Sequence, residues 1–230
     1  EQELLRQGET GILRALEAGG LKIGCLCRYF DFAHDQRSDP SEALVDHLVR
    51  LGVRDLLVVP GFLTPTDDAH DAMERMADCV EYLCDYADAR GVRVGLEDYD
   101  SVAAPYATLE EVRWFLERVP KLHFTLDTGN FLYSGEDVLA AVDALGERIG
   151  YVHLKDRRLV GEPGEEPCHA ADGTPLYASP VGSGVIPMRE VLCKLDALGY
   201  RGRLAVEHFG APDQLRYLEE SARWLKGFAL

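Results

Sequence analysis

Four segments of the sequence end a strand-like run in a side chain that can bind a metal or transfer a proton. The segments are VGLEDYD (94–100), HFTLDTGN (123–130), YVHLKD (151–156) and LAVEHF (204–209). The side chains at their ends are Glu97, Asp127, His153 and Glu207. Three carboxylates that meet without a cation would repel one another and raise their own pKa values. A divalent cation would remove this cost, so the four segments predict a metal site if their ends converge.

The donor types favour particular cations. Three oxygen donors and one imidazole nitrogen suit Mn²⁺, Mg²⁺ or Co²⁺ better than a structural zinc site, which usually contains thiolates. We expect one divalent ion, with Mn²⁺ first and Mg²⁺, Co²⁺ or Zn²⁺ as alternatives. Gly129 follows Asp127 by two residues and predicts that the backbone turns sharply away from the site.

Helical periodicity and strand-like runs alternate along the chain, and this order indicates how the four side chains are positioned. The predicted strands cover 21–27, 55–60, 92–97, 122–127, 150–155 and 202–207. The predicted helices lie near 3–18, 41–51, 69–90, 108–119, 136–145, 187–198 and 211–226. Such alternation is typical of right-handed βαβ units with a parallel sheet.

An open doubly wound sheet and a closed barrel both fit this order, and the faces of the strands favour the barrel. Gly95 and Thr125 share a face with the candidate ligands, whereas Leu96 and Leu126 make the opposite face apolar. An open sheet needs apolar residues on both faces, because helices cover both. A barrel can direct polar groups inward at its C-terminal rim. We therefore predict an α/β fold, a (β/α)₈ TIM barrel.

Six of the eight βα units of such a barrel are recognisable. We expect a single barrel domain over residues 1–230 that is N-terminally incomplete, with two further units upstream of this sequence. The alternative is a genuinely open sheet whose exposed edge another chain covers.

Composition limits the partners. The sequence has 24 Lys plus Arg against 40 Asp plus Glu, a net charge of −16, so it offers nucleic acid little basic surface. No apolar run approaches the roughly 20 residues that cross a bilayer, and no charged-then-apolar leader opens the sequence. The six cysteines lack the paired spacing of a zinc module. We expect a cytoplasmic protein that binds neither nucleic acid nor a membrane.

The motifs together resemble those of the xylose isomerase-like TIM barrels of the sugar phosphate isomerase/epimerase group. The resemblance runs from about residue 10 to the C-terminus and is carried by VGLED, FTLDTGN, YVHLKD, PVGSGVIP (180–187) and GYRGRLAVEHF (199–209). It implies that Glu97, Asp127, His153 and Glu207 bind the metal. By similarity, Glu97 and Glu207 would also act as base and acid on opposite sides of a small sugar. It further implies a homodimer or homotetramer.

These features predict a metal-dependent isomerase or epimerase of a sugar or sugar phosphate. Proton transfer between adjacent carbons would pass through a metal-stabilised enediolate. Two alternatives remain open. HLKD also occurs in relatives that dehydrate inososes, so a C–O lyase with the same metal site is one alternative. A non-catalytic binding or assembly module is the other.

Four further residues are candidates for contact with the substrate. Lys155 shares the inward face of His153, and Asp156 follows it; a salt bridge at the rim is the alternative for this pair. Asn130 stands where related epimerases often have a histidine, so the substrate contacts there must differ. Arg158 belongs to the long segment 157–186, which follows the fifth strand and could act as a lid.

Overall fold

The main sheet has six parallel strands in a computed structural model that describes residues 2–35 and 41–228. Along the sheet the strands are β1 (Leu26–Tyr29), β2 (Asp55–Val59), β3 (Arg93–Glu97), β4 (His123–Asp127), β5 (Ile149–Leu154) and β9 (Leu204–Val206). The sheet is curled into a half-barrel, which confirms the predicted xylose isomerase-like TIM barrel class.

Seven helices are described, and most of them connect consecutive parallel strands. They are α1 (Gln2–Ala18), α2 (Ser41–Leu51), α3 (Ala69–Asp88), α4 (Leu109–Arg118), α5 (Val138–Leu145), α6 (Met188–Ala197) and α7 (Gln214–Gly227). Side-chain caps fix where several of them begin. Thr108 and Glu111 form the capping box of α4, while Asp68, Asp137 and Asp213 cap α3, α5 and α7. None of the helices in the described ranges combines the length and the apolarity needed to cross a membrane.

The core lies between the outer face of the sheet and the helices. Side chains on this face of β3, β4 and β5 are at most 2% exposed: Val94, Leu96, Phe124, Leu126, Val152 and Leu154. The predicted division into an apolar outer and a polar inner face is confirmed for these strands. It fails at β9, where Leu204 was expected to pack under a helix but is 42% exposed within the described part of the chain.

Two elements differ from the prediction. The first strand was expected over 21–27 but covers Leu26–Tyr29, because pairing with β2 starts only at Leu26 opposite Leu56. The segment 157–186 was expected to be a loop but contributes to a small antiparallel sheet of β6 (Asp156–Arg158), β8 (Pro175–Ser179) and β7 (Cys168–His169). Strands of two to five residues are too short for periodicity to show.

Arg203 draws the two edges of the main sheet together at their N-terminal ends. It lies just before β9, and its Nη1 donates to the carbonyl oxygen of Gly24, just before β1, at 2.5 Å. The same nitrogen lies 3.1 Å from Oδ2 of Asp55, the first residue of β2. The opposite, C-terminal rim carries the strand ends that the sequence singled out.

Candidate metal centre

Four adjacent strands place the predicted ligands side by side. Asp127 on β4 is in register with His153 on β5, and His153 is in register with Ala205 on β9. Because parallel strands end at the same edge of a sheet, the side chains at these ends face a common space. One ligand atom each from Glu97, Asp127, His153 and Glu207 lies within 4.8 Å of all the others.

His153 and Glu97 form a short hydrogen bond in this arrangement. Nδ1 of His153 lies 2.5 Å from Oε1 of Glu97 and 3.2 Å from Oε2 of Glu207. Burial lowers the pKa of His153, but the hydrogen bond to Glu97 and the surrounding acidic charges outweigh it and raise this pKa to about 9. Burial raises the pKa of Glu97 to about 7, although His153 opposes the shift. A metal bound at Nδ1 would have to displace the proton that the imidazole holds below its raised pKa.

Lys155 supplies a second positive charge to the group. Its Nζ lies 3.0 Å from Oδ2 of Asp127 and 2.9 Å from Oε1 of Glu207, and it donates to Oδ1 of Asn130 at 2.9 Å. Burial lowers the pKa of Lys155, but the charges of Asp127 and Glu207 raise it further, and the net direction is upward. Lys155 and Asn130 thus adjoin the candidate ligands, and their contact with a substrate stays a prediction.

Asp127 shows that a cation fits the group. Its Oδ1 accepts hydrogen bonds from the backbone N–H groups of Gly129 at 2.8 Å and Asn130 at 3.0 Å. Its buried Oδ2 has no hydrogen-bond partner among the described residues and only the ion pair with Lys155. A buried carboxylate oxygen without a hydrogen bond is costly. Three carboxylates and an imidazole, with no thiolate, suit a hard divalent cation, which would bind this oxygen.

Gly129 is needed for a reason other than the predicted one. Its φ is not positive, so the sharp turn expected after Asp127 does not require a glycine. Instead, a Cβ at this position would come within 2.9 Å of the carbonyl oxygen of Lys155. The small residue allows β4 and β5 to approach each other closely beyond their last paired residues.

Asp156 and Arg158 make structural contacts in this chain, and their contact with a substrate stays a prediction. Asp156 is 1% exposed, and its carboxylate accepts hydrogen bonds from three backbone N–H groups of the segment after β8: Gly182, Gly184 and Ile186. Arg158 donates to the carbonyl oxygen of Ala178 at 2.9 Å and to Oη of Tyr217 at 2.8 Å. Both side chains alternate away from the face that carries His153 and Lys155.

The structure adds a second layer of charged residues around the group. Asp98 is fully buried, and its Oδ1 accepts the N–H of Asp127 at 3.1 Å. Burial, with the charges of Asp127 and Glu97, holds the pKa of Asp98 well above its usual range. Arg157 is 4% exposed and lies 3.2 Å from Oδ2 of Asp100. Arg157 has the same parity as His153 and Lys155, which is the one sequence signal that pointed to it.

Comparison with known proteins gives the family. The chain matches the family described as xylose isomerase-like TIM barrel over residues 4–228. A curated relative, the inosose dehydratase of Serratia proteamaculans (strain 568), is 29% identical over 163 residues. The aligned part covers 66% of this chain and 54% of the relative. The chain thus spans about half the length of the curated relatives that it matches.

Solved structures share the architecture. The 3-keto-D-glucoside 4-epimerase YcjR from E. coli superposes with a TM-score of 0.68 at 17% identity, covering 95% of this chain and 84% of that one. The IOLI protein, solved with a bound zinc atom, superposes with a TM-score of 0.70 at 18% identity, covering 91% and 79%. At these identities the likeness shows the fold alone. With the match over nearly all of its length, it follows that this chain belongs to the xylose isomerase-like TIM barrel family.

Proposed function

We propose that the protein binds one divalent cation and removes a proton beside the carbonyl group of a polyhydroxylated ketone. The observation that carries the proposal is the meeting of Glu97, Asp127, His153 and Glu207 within 4.8 Å. When bound, the cation would hold adjacent oxygens of the substrate and stabilise the negative charge that develops on them. We propose Mn²⁺ as this cation; the zinc atom in the IOLI structure supports a divalent metal in general.

Glu207 and Glu97 are suited to move the proton. Glu97 ends β3 and Glu207 follows β9, and these two strands flank β4 and β5 in the sheet, so the two carboxylates can approach a substrate from different directions. The side chain of Glu207 is 32% exposed and that of Glu97 is 10% exposed, so Glu207 is the more accessible base. Lys155 holds Oε1 of Glu207 at 2.9 Å and thereby orients it.

Loss of water from an inosose is the first candidate reaction. Curated relatives of 29 to 31% identity are named inosose dehydratases, which supports it. An inosose is a cyclic ketone with hydroxyl groups on its other ring carbons. Glu207 would take the proton from the carbon next to the carbonyl, and the hydroxyl on the following carbon would leave as water with a proton from Glu97.

Isomerisation or epimerisation of a sugar is the second candidate reaction. The placement of two carboxylates around one imidazole supports it, because one acid can remove a proton and the other can return one. The partner in either case is a small neutral or phosphorylated carbohydrate.

We also propose that the protein is a homodimer or homotetramer, and light scattering of the purified protein measures its mass.

Turnover in heavy water tests the proposal and separates the two reactions. The Mn²⁺-loaded protein is incubated with an inosose and, separately, with ketoses. An ultraviolet-absorbing unsaturated ketone supports the dehydratase, whereas deuterium incorporation without loss of water supports the isomerase or epimerase. Glu207→Gln is expected to lower the rate at least about 100-fold, since it removes a positioned base. Glu117→Gln, on the exposed face of α4, is the matched control. Absence of both products and of deuterium exchange would favour a binding or assembly module.

A further inference from the structure

The rim around the candidate metal centre has two unlike halves. The ends of β3, β4, β5 and β9 carry the charged group described above. The end of β1 and the segments just after β2 and β3 carry aromatic side chains. Tyr29 is the last residue of β1, Phe62 follows β2 by three residues, and Tyr99 follows β3 by two. We call these three side chains the aromatic wall.

Contacts within the aromatic wall hold it in place. The hydroxyl groups of Tyr29 and Tyr99 lie 3.0 Å apart, and the rings of Phe62 and Tyr99 meet edge to face with centroids 5.3 Å apart. Tyr106 contacts the ring of Tyr99 and the backbone just before Phe62. It is fully buried, packs edge-on against Tyr99 at 6.0 Å and donates to the carbonyl oxygen of Gly61 at 2.8 Å, directly before Phe62. The wall is therefore formed before any ligand arrives.

The wall lies on the inner face of the sheet, beside the carboxylates. Side chains alternate along a strand, so Tyr29 shares its face with Cys27. Cys27 is in register with Leu57, and Leu57 with Gly95, which shares its face of β3 with Glu97, so Tyr29 lies on the same face of the sheet as Glu97. Leu26, on the opposite face, packs against the core under the helices. Tyr99 continues the inner face of β3 two residues beyond Glu97.

Most of the Tyr29 side chain is left uncovered by the described residues. The residue is 56% exposed, although it stands at a strand end next to a polar cluster. Exposed aromatic faces beside polar groups suit ligands with one apolar and one polar side, because the ring face attracts weakly positive C–H groups. A ring-shaped polyol has such sides. Its C–H groups lie mainly on the two faces of the ring, and its hydroxyl oxygens lie mainly around the edge of the ring.

Resting on the proposed function, we propose that Tyr29, Phe62 and Tyr99 determine specificity by binding the C–H face of a ring-shaped polyol ketone. The hydroxyl and carbonyl oxygens of this ligand then face Glu97, Asp127, His153 and Glu207. An open-chain polyol exposes hydroxyl groups on all sides and loses more conformational freedom on binding. The protein therefore prefers a six-membered carbon ring to an open chain with the same number of carbons and hydroxyl groups.

Binding of two non-reactive probes tests this preference. The Mg²⁺-loaded protein is titrated by calorimetry with inositol, a six-carbon ring, and with glucitol, an open six-carbon chain; saturation-transfer NMR reports which probe protons touch aromatic rings. Inositol is expected to bind more tightly and to receive saturation on its C–H groups. Tyr29→Ala is expected to weaken inositol binding about tenfold, as loss of a ring contact does, and to remove the preference over glucitol.

Two controls separate the wall from general effects. Tyr29→Phe keeps the ring and is expected to bind inositol within about threefold of the unchanged protein. Tyr82→Ala removes a tyrosine of the same 56% exposure from the outer surface of α3 and is expected to change nothing. With an inosose as substrate, Tyr29→Ala is expected to raise KM while kcat stays within about threefold, because the ring binds and does not react.

The outcomes distinguish failure of the wall from failure of the function. If the unchanged protein dehydrates an inosose but Tyr29→Ala binds inositol as tightly as Tyr82→Ala, the aromatic wall does not bind the ligand and the proposed function stands. Equal binding of glucitol and inositol by the unchanged protein leads to the same conclusion. If the loaded protein binds neither probe and turns over no polyol ketone, both proposals are overturned.

Discussion

The charges of Glu97, Asp127 and Glu207 are partly offset by His153 and Lys155 in this structure. His153 contacts Glu97 and Glu207, and Lys155 contacts Asp127 and Glu207, so each carboxylate lies beside at least one cationic or protonated partner. Without such partners three acids at this distance would repel one another. A divalent cation and the proton on His153 therefore compete for the same ligand atoms.

This competition makes metal affinity depend on pH. In the metal-free protein the pKa of His153 is about 9 and that of Glu97 is about 7. A metal needs both groups deprotonated, so below the pKa of His153 binding must release one proton, and below the pKa of Glu97 it must release a second. We expect the affinity for Mn²⁺ to fall as the pH falls, by up to about tenfold per pH unit for each proton.

Calorimetry in buffers with different enthalpies of ionisation measures both the affinity and the protons released. As the pH is lowered from about 8 to about 6, the affinity for Mn²⁺ is expected to fall and the number of protons released on binding is expected to rise. An affinity that stays constant across this interval, with no proton released, would show that His153 and Glu97 do not bind the cation.

The strand-end residues could be found from sequence because alternation along a strand assigns each side chain to one face. Glu97, Asp127, His153 and Glu207 needed only this rule and the parallel order of the strands. The partners of Asp98 and Arg157 could not be found, since they depend on where the backbone runs after the strand has ended. Tyr29 was missed because the first strand was placed too early in the sequence.

The insertion between β5 and α6 is organised by one buried carboxylate. Asp156 accepts hydrogen bonds from the N–H groups of Gly182, Gly184 and Ile186, while Gly184 leaves no room for a side chain against Asp156 and the carbonyl oxygen of Arg157. The chain after β8 is thus fastened beside the candidate metal centre. The same carboxylate is buried at a cost, because burial raises its pKa despite these bonds.

Removal of this carboxylate is expected to loosen the insertion. Asp156→Ala removes the acceptor of the N–H groups of Gly182, Gly184 and Ile186, the last of which is buried, and we expect a loss of about 3 kcal/mol in the free energy of unfolding. Urea unfolding measures the loss, and limited proteolysis is expected to cut first within 157–186. Asp143→Ala removes an exposed partner of Lys194 and is the control. Equal stability of the two variants would contradict the role given to Asp156.

Long elements were predictable and short ones were not. Predicted helix 41–51 coincides with α2, and the capping box at Thr108 and Glu111 placed the start of α4 correctly. These elements carry several turns of apolar periodicity or a side-chain cap, both of which are local in sequence. Strands β6, β7 and β8 depend instead on pairing between segments that prolines and glycines separate, so nothing local revealed them.

The molecule as a whole is a curled sheet whose edge strands approach each other at one end. Arg203 makes this contact by joining the start of β9 to Gly24 and Asp55. Asp55 is nearly buried and is also paired with Arg93, at 2.5 Å. The curl of the sheet depends on such contacts as well as on strand twist, and it sets how closely the four candidate ligands can approach.

Loss of Arg203 is expected to relax the curl. Arg203→Ala removes the bond to Gly24 and one partner of Asp55, and since the arginine is partly exposed we expect only about 1 kcal/mol of destabilisation. Hydrogen exchange is a sharper readout. Arg203→Ala is expected to accelerate exchange of the amides of β1 and β9 more than exchange of the amides of β3 and β4. Arg201→Ala, whose side chain is 71% exposed, is the control. Unchanged exchange at both edges would refute the contact.

The number of metal ions per chain tests the central claim, that four strand ends from across the sheet bind one shared cation. The purified protein is loaded with Mn²⁺, passed through a desalting column and analysed for manganese against protein concentration. About one Mn²⁺ per chain is expected for the unchanged protein and for the surface control Asp143→Asn, and almost none for Asp127→Asn, whose amide cannot replace the buried carboxylate oxygen. Full manganese content in Asp127→Asn, or no manganese in the unchanged protein, would contradict the claim that the four strand ends bind one cation.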